Sequence, residues 1–127
     1  MYNKPMNNIE GIWLSRYKYT EGSSSEPSVG EHRIAFKPDG NKWIGDSISQ
    51  TDGSEVTLEL TQKGITFSGA WHERTAPTGH YEGREFNGLL MVTLNDEGTE
   101  LNGMWLGASS STGRVKSGAW TLQKVSD

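Results

Sequence analysis

Cysteine is absent from this chain, which excludes disulfide bonds, thiolate catalysis and zinc sites built on cysteine. A long apolar run is absent too, because no segment approaches the roughly 20 residues that a membrane helix needs. The residues that follow Met1 lack the apolar stretch of a secretion signal. Together these absences predict a cytoplasmic protein whose chain makes no membrane contact.

An excess of basic residues is also missing. The 127 residues include 12 basic and 16 acidic side chains, which gives a net charge of −4. Proteins that bind nucleic acids in general attract the phosphate backbone with a basic surface. We therefore expect no direct DNA binding, although a small basic pocket for an anion is compatible with this balance.

The pattern of apolar residues is that of strands. No segment keeps a helical period over three turns, and glycine supplies 16 residues, against a usual share of about 7%. Such a glycine content indicates many tight turns between short strands. The turn signals leave eight strand-like runs, at residues 11–19, 31–37, 42–50, 55–62, 65–74, 80–94, 100–108 and 114–125. We predict a tail over residues 1–8 and one all-β domain over 9–127, an eight-stranded antiparallel up-and-down β-barrel.

A Gly-x-Trp pair recurs four times in these runs, as Gly11/Trp13, Gly69/Trp71, Gly103/Trp105 and Gly118/Trp120. Residues two apart in a strand share one face, so each glycine is expected to clear space beside the ring of its own strand. One interpretation is architectural, with the rings filling the barrel. The other is an aromatic cage for a ligand. The two overlap, because the interior of a small barrel is both core and pocket.

Alternation along the runs predicts which side chains point inward, except in the third run, where Trp43 and Ile44 compete for the interior. Because neighbouring runs are antiparallel, the inward residues divide between two ends. An apolar end, the floor, collects Trp13, Phe36, Leu60, Ile65, Leu94 and Leu101. A polar end, the mouth, collects Tyr17, Tyr19, His32, Glu73, His80, Glu82, Arg84 and Ser109. Ligand sites favour such a mouth, which the longer predicted loops at 21–30, 75–79 and 109–113 surround.

Arg84 is the most informative residue of the predicted mouth. An inward guanidinium two residues from Phe86 needs a partner, which Glu73, Glu82 or an anionic ligand can supply. Aromatic side chains stack on planar rings, and Arg84, with Arg74 and Lys116 near the rim, can meet phosphate or carboxylate. The candidate ligand-binding residues are Tyr17, Tyr19, His32, Trp71, Glu73, Arg74, His80, Arg84 and Trp105.

Signals for catalysis or metal binding are weak. The three histidines, His32, His72 and His80, lack the spacing of metal ligands. Glu73 and Glu82 resemble a glycosidase pair only as far as any two carboxylates on adjacent strands do, and no nucleophile elbow is present. We expect no enzymatic activity, no metal and no cofactor.

The residues 11–17, 30–32, 73–81 and 112–120 resemble the domain that follows the DNA-binding part of some bacterial helix-turn-helix regulators. The run Glu73-Arg-Thr-Ala-Pro-Thr-Gly-His-Tyr81 is the most specific part. The Gly11-x-Trp13 start also resembles calycin barrels, the lipocalin and avidin group. The general layout is similar to the barrel of two-transmembrane CBASS effectors, which bind cyclic dinucleotides in antiphage defence. These resemblances imply a calycin-like barrel with a sensory role.

Two hypotheses for function follow. The first is a sensor barrel for a small ligand, an aromatic or nucleotide-like anion, with a cyclic nucleotide second messenger as one candidate. The second is a protein-interaction or assembly module whose barrel is filled and takes no small ligand. The oligomeric state stays open, with a homodimer as one option.

Overall fold

The computed structural model describes residues 8–19, 28–48, 53–75, 77, 85–108 and 113–126, all of them outside helices. The strands are β1 (Gly11–Tyr19), β2 (Ser28–Asp39), β3 (Lys42–Ser47), β4 (Glu55–Lys63), β5 (Thr66–Arg74), β6 (Glu85–Leu94), β7 (Glu100–Ala108) and β8 (Val115–Ser126). Each strand pairs antiparallel with the next, and β1 also pairs with β8, which closes the barrel. The predicted all-β, eight-stranded up-and-down barrel is confirmed. No helix in the described part of the chain is long and apolar enough to cross a membrane.

Strand β2 is longer than predicted. Residues 28–30 belong to it rather than to the predicted loop 21–30, because the last residues of β1 extend the ladder and pair Tyr17 with Gly30 and Tyr19 with Ser28. At its other end, Pro38 and Asp39 pair with Trp43 and Lys42 of β3, so the turn shrinks to two residues. Residues 80–84, predicted as the start of the sixth strand, lie outside the described residues.

The turn between β4 and β5 corrects one inward position. Lys63 pairs with Thr66, which leaves Gly64 and Ile65 as a two-residue turn. Gly64 has a φ of +63°, a left-handed conformation that glycine adopts without steric cost. The prediction that Ile65 points inward is wrong: its side chain is 52% exposed because it lies in the turn, before the strand begins.

The floor of the barrel is sealed by apolar side chains. Trp13, Phe36, Phe67, Leu94, Leu101 and Leu122 are between 0% and 3% exposed. Ile9, which precedes β1, is fully buried there, and its carbonyl accepts a 2.9 Å hydrogen bond from the Trp13 indole. Trp13 meets Phe36 edge-on, with ring centroids 6.3 Å apart. The predicted dry floor is therefore present, and Ile9 helps to close it.

The register resolves the ambiguous third strand in favour of Trp43. Gly45 is buried and pairs with Phe36 and Leu58, both of which point inward. Residues 43, 45 and 47 therefore share the inner face. Trp43 packs against the core near the floor, and its indole donates a 3.0 Å hydrogen bond to Gln62.

Trp13→Ala and Trp120→Ala should each lower the free energy of unfolding by about 3–5 kcal/mol, as truncation of large buried aromatics does. Both rings are at most 2% exposed. Urea unfolding followed by circular dichroism measures the loss, with Ser117→Ala on the outer wall as a control that should be nearly neutral. A loss below about 1 kcal/mol for either tryptophan would contradict this facing assignment.

Candidate functional site

Six ring side chains meet in the upper half of the barrel and form what we call the mouth cluster: Tyr17, Tyr19, His32, Trp71, Trp105 and Trp120. Tyr17 lies at its centre, parallel to His32 with a centroid distance of 6.1 Å and tilted against Trp120 at 5.1 Å. Trp71 meets Trp105 and Trp120 edge-on, at 6.0 and 6.2 Å. These are the offset and edge-to-face geometries that aromatic pairs prefer. The structure thus brings together five of the predicted site residues: Tyr17, Tyr19, His32, Trp71 and Trp105.

Three rings of the cluster lie on glycines of neighbouring strands. A methyl group on Gly30 would overlap the Tyr17 ring, one on Gly88 would lie 2.6 Å from Trp71, and one on Gly118 would lie 2.5 Å from the Trp105 indole nitrogen. The Gly-x-Trp pattern was therefore interpreted wrongly in one respect. The glycine that makes room for each of these rings is the residue paired with it on the adjacent strand.

The glycines of the Gly-x-Trp pairs have a different role in the wall. A methyl group on Gly69, Gly103 or Gly118 would collide with a backbone carbonyl of an adjacent strand, that of Glu59, Met91 or Lys18 respectively. Sheets that curl into small barrels use glycine where strands bend sharply towards their neighbours. Three of the four glycines of the repeat therefore lie where the backbone of an adjacent strand approaches too closely for a side chain.

All five indole N–H groups donate to atoms of the protein itself. Trp71 bonds to the carbonyls of Leu89 and Leu106 at 3.1 and 3.2 Å, and Trp105 to that of Lys18 at 2.8 Å. Trp120 donates to the buried hydroxyl of Ser15 at 2.6 Å. Trp13 and Trp43 donate to Ile9 and Gln62. Since these donors are satisfied, the tryptophans present ring faces and edges to the interior.

Glu73 lies next to the mouth cluster on the inner face of β5. The Tyr17 hydroxyl donates to its carboxylate at 2.6 Å, across a separation of 56 residues. Glu73 is only partly buried, whereas Tyr17 is 9% exposed. Hydrogen bonds of a hydroxyl to a carboxylate are short and stronger than neutral ones. This bond therefore fixes the orientation of the central ring.

His32 makes a second polar contact at the mouth, with Ser54. Both residues are buried, and the imidazole Nε2 lies 2.9 Å from the serine hydroxyl. The pair joins β2 to the residues just before β4, beyond the end of the short β3 at Ser47. The sequence analysis missed Ser54 because it places this residue in a turn. Ser54 has the same parity as the inward Val56 and Leu58, however, and this alternation was a signal that it points inward too.

Exposure rises from the floor to the mouth. The floor side chains are at most 3% exposed, Tyr17 and Trp71 are each 9% exposed, and Tyr19, Phe86 and Trp105 are only partly buried. Phe86, predicted inward but omitted from the candidate residues, pairs with Glu73 and packs against the core. Most of the partly exposed aromatic surface in the described interior is therefore at the mouth, and Trp43 is the partly buried ring near the floor.

Arg74 lies apart from the mouth cluster. Its side chain is on the outer wall, 3.6 Å from the carboxylate of Glu85, which also contacts His72 at 2.9 Å. Positions 72 and 74 have the outward parity of β5, opposite to Trp71 and Glu73. The hydrogen bond from His72 and then the charge of Arg74 hold the pKa of Glu85 below its ordinary value. Arg74 is thus not brought together with the other candidates.

Arg114, just before β8, and Lys116, on β8, are exposed basic residues at the mouth end in the described part of the chain. Lys116 pairs with Gly107 and has the inward parity of Gly118 and Trp120. His80, Glu82, Arg84 and Ser109 lie outside the described residues. No group of three potential metal ligands occurs among the residues that are described.

A scan of protein-family models finds no match to this chain, and a search of curated proteins finds none either. The resemblance to the sensor domain of bacterial regulators therefore stays a prediction from the sequence.

Gly118→Ala should destabilise the protein by about 1–3 kcal/mol, the usual cost of overpacking. The added methyl group would meet both the Trp105 ring and the carbonyl of Lys18. Urea unfolding measures the change, with the outward Ser117→Ala as the matched control on the same strand. A Gly118→Ala protein as stable as the wild type would show that Trp105 does not lie on this glycine.

Removal of the Tyr17 hydroxyl by Tyr17→Phe should cost about 1.5–3 kcal/mol, the range for hydrogen bonds to charged groups. A double-mutant cycle with Glu73→Gln isolates the pair. We expect a coupling energy well above the roughly 0.5 kcal/mol at which changes count as additive. Glu55→Gln, an exposed carboxylate at the same end, provides the control cycle, and equal coupling in the two cycles would contradict the assignment.

Proposed function

We propose that this chain is a sensor barrel that binds a small aromatic or nucleotide-like anion at its mouth. The observation that carries the proposal is the contrast between the two ends of one interior. At the floor, Trp43 is the partly buried ring beside side chains at most 3% exposed, whereas Tyr19, Phe86 and Trp105 together present partly exposed rings at the mouth. Aromatic surface at the open end of a small barrel suits a planar ligand.

Stacking is the contact that the mouth cluster favours. Every tryptophan N–H already donates within the protein, so a ligand would gain little by hydrogen bonding to the indoles. Their faces and edges can contact a heterocycle, a contact worth about 1–3 kcal/mol per base. Glu73, oriented by its bond to Tyr17, is suited to accept hydrogen bonds from the N–H edge of a base.

An anionic group would be recognised by cations at the rim. Lys116 is exposed on the inward register of β8, and Arg84 and His80 are predicted by parity to reach the same end. Arg84 would make the strongest contact, because guanidinium groups bind phosphate and carboxylate through two parallel hydrogen bonds. Arg74 is given no role here, since it lies on the outer wall beside Glu85.

The ligand class and the setting rest on the sequence. The resemblance to regulator domains and to CBASS effectors favours a cyclic nucleotide second messenger, in bacterial signalling or antiphage defence. The absence of cysteine fits a reducing, cytoplasmic compartment. The proposed role is binding rather than catalysis, and it requires no cofactor.

A second candidate function is an interaction or assembly module with a filled barrel. It is favoured by the close contacts within the mouth cluster, where neighbouring ring centroids lie 5.1–6.2 Å apart. A barrel whose rings fill its own interior would have the same contacts. Ligand binding distinguishes the two candidates.

Calorimetry with cyclic mononucleotides, cyclic dinucleotides and aromatic carboxylic acids tests the proposal. We expect at least one to bind and to change the tryptophan fluorescence. Trp105→Leu should weaken binding about 5- to 150-fold, which corresponds to the loss of one stacking contact. Arg84→Ala should weaken it by a similar factor or more, and Lys116→Ala less, because exposed charges are screened.

Matched variants at the other end serve as controls. Trp43→Leu and Lys63→Ala alter a partly buried ring and an exposed cation near the floor, and both should bind as tightly as the wild type. Equal losses in Trp43→Leu and Trp105→Leu would contradict a site at the mouth. A folded wild-type protein that binds nothing in the panel would favour the filled-barrel module instead.

A further inference from the structure

The outer wall carries four large apolar side chains on β6 and β7. Leu89 and Met91 of β6 are 59% and 58% exposed, and Met104 and Leu106 of β7 are 54% and 44% exposed. Leu89 pairs with Leu106 and Met91 with Met104 in the ladder, so the four form a two-by-two square that we call the apolar block. Large apolar patches of this kind on a protein surface commonly mark interaction sites.

The rows that contain the block are free of charge across four strands. Ala70 and Ser68 of β5 extend them on one side, and Ser117 and Ala119 of β8 on the other. The outer faces of β1–β4 differ, since each carries at least two charged side chains. These are Arg16 and Lys18 on β1, Glu31, Arg33 and Lys37 on β2, Lys42 and Asp46 on β3, and Glu55 and Glu59 on β4. The uncharged region is therefore confined to one side of the barrel.

We propose that the apolar block is the contact surface of a homodimer. In a two-fold contact, the same patch of each copy faces its counterpart. A charged side chain in the patch would then lie near the same charge of the second copy. With a net charge of −4, two copies repel overall, and they approach at least cost where the surface carries no charge. Because the eight described strands form a closed barrel, they leave no free edge as an alternative route to association.

The symmetry of the block also fits a second copy. Each row places identical residues on the two strands, leucine beside leucine and methionine beside methionine. A two-fold axis parallel to the strands would set Leu89 of one copy against Leu106 of the other, and Met91 against Met104. An axis across the strands would set leucine against methionine. Both arrangements bury apolar side chains against apolar side chains, and methionine adapts to either.

The size of the block sets the expected strength. The next row, Thr66, Thr93, Asn102 and Thr121, is uncharged as well, so the uncharged surface around the block has three rows. With four strands about 4.8 Å apart and rows about 6.8 Å apart, it covers roughly 400 Å². That is below the roughly 800 Å² per partner of a standard interface and within the range of weak complexes. The dimer is therefore reversible, with a dissociation constant in the micromolar to millimolar range.

Sedimentation equilibrium of the full chain over that concentration range tests the proposal. The wild type should dimerise reversibly. Met91→Lys should weaken the dimer by at least about 10-fold, equivalent to ~1.4 kcal/mol, because it places a charge inside the contact. Leu106→Gln, a milder and uncharged change, should weaken it by a smaller factor. Circular dichroism of each variant verifies that the barrel is intact.

Val29→Lys is the matched control, since Val29 is 55% exposed on β2, on the opposite side of the barrel. It should dimerise as the wild type does. A wild type that stays monomeric at millimolar concentration would overturn the proposal. The proposal would also be overturned if Met91→Lys and Leu106→Gln left the dimer unchanged, or if Val29→Lys weakened it as much as Met91→Lys. Salt screens the repulsion between the copies and should therefore strengthen the dimer, so a dimer that dissociates at high salt would contradict the proposal as well.

Discussion

The pairing of β1 with β8 is the constraint on which the rest of the structure depends. Once the sheet closes with eight strands, its interior is just wide enough for side chains or one small ligand. Five tryptophans and several smaller rings share that space. A ring can lie against a neighbouring strand only where the paired residue has no side chain, as at Gly30, Gly88 and Gly118. Closure of the sheet thus determines where glycine is needed.

The same closed wall gives the two ends different properties. At the floor, Ile9 and the Trp13 indole seal the interior with an apolar plug joined by a hydrogen bond. At the mouth, polar groups enter the interior, and two of them are paired: Glu73 with Tyr17, and Ser54 with His32. The rings there are ordered without being fully buried. When such a surface is held in place, its own side chains lose less conformational entropy on binding a ligand.

Much of the fold was accessible from the sequence because its signals are local. Turn residues divide the chain into runs, and alternation assigns one face of each run to the interior, as at Val56, Leu58 and Leu60. Strand direction then distributes the inward residues between two ends. The reasoning failed where local signals conflict or stop. Trp43 and Ile44 were equally good inward candidates, and Ile65 was assigned to a strand that begins one residue later.

Local patterns in the sequence suffice for the class of fold, the number of strands, the floor and the gathering of aromatic residues at the mouth, since each follows from a period of two and from turns. Side-chain contacts between strands need the tertiary structure. Sequence spacing could not show that Tyr17 bonds to Glu73, that Trp105 lies on Gly118, or that Arg74 joins Glu85 outside. The reason is geometric. Tyr17 and Glu73 are 56 residues apart and meet only because the barrel closes. The other two contacts depend on the register of paired strands, which a slip of one residue would change.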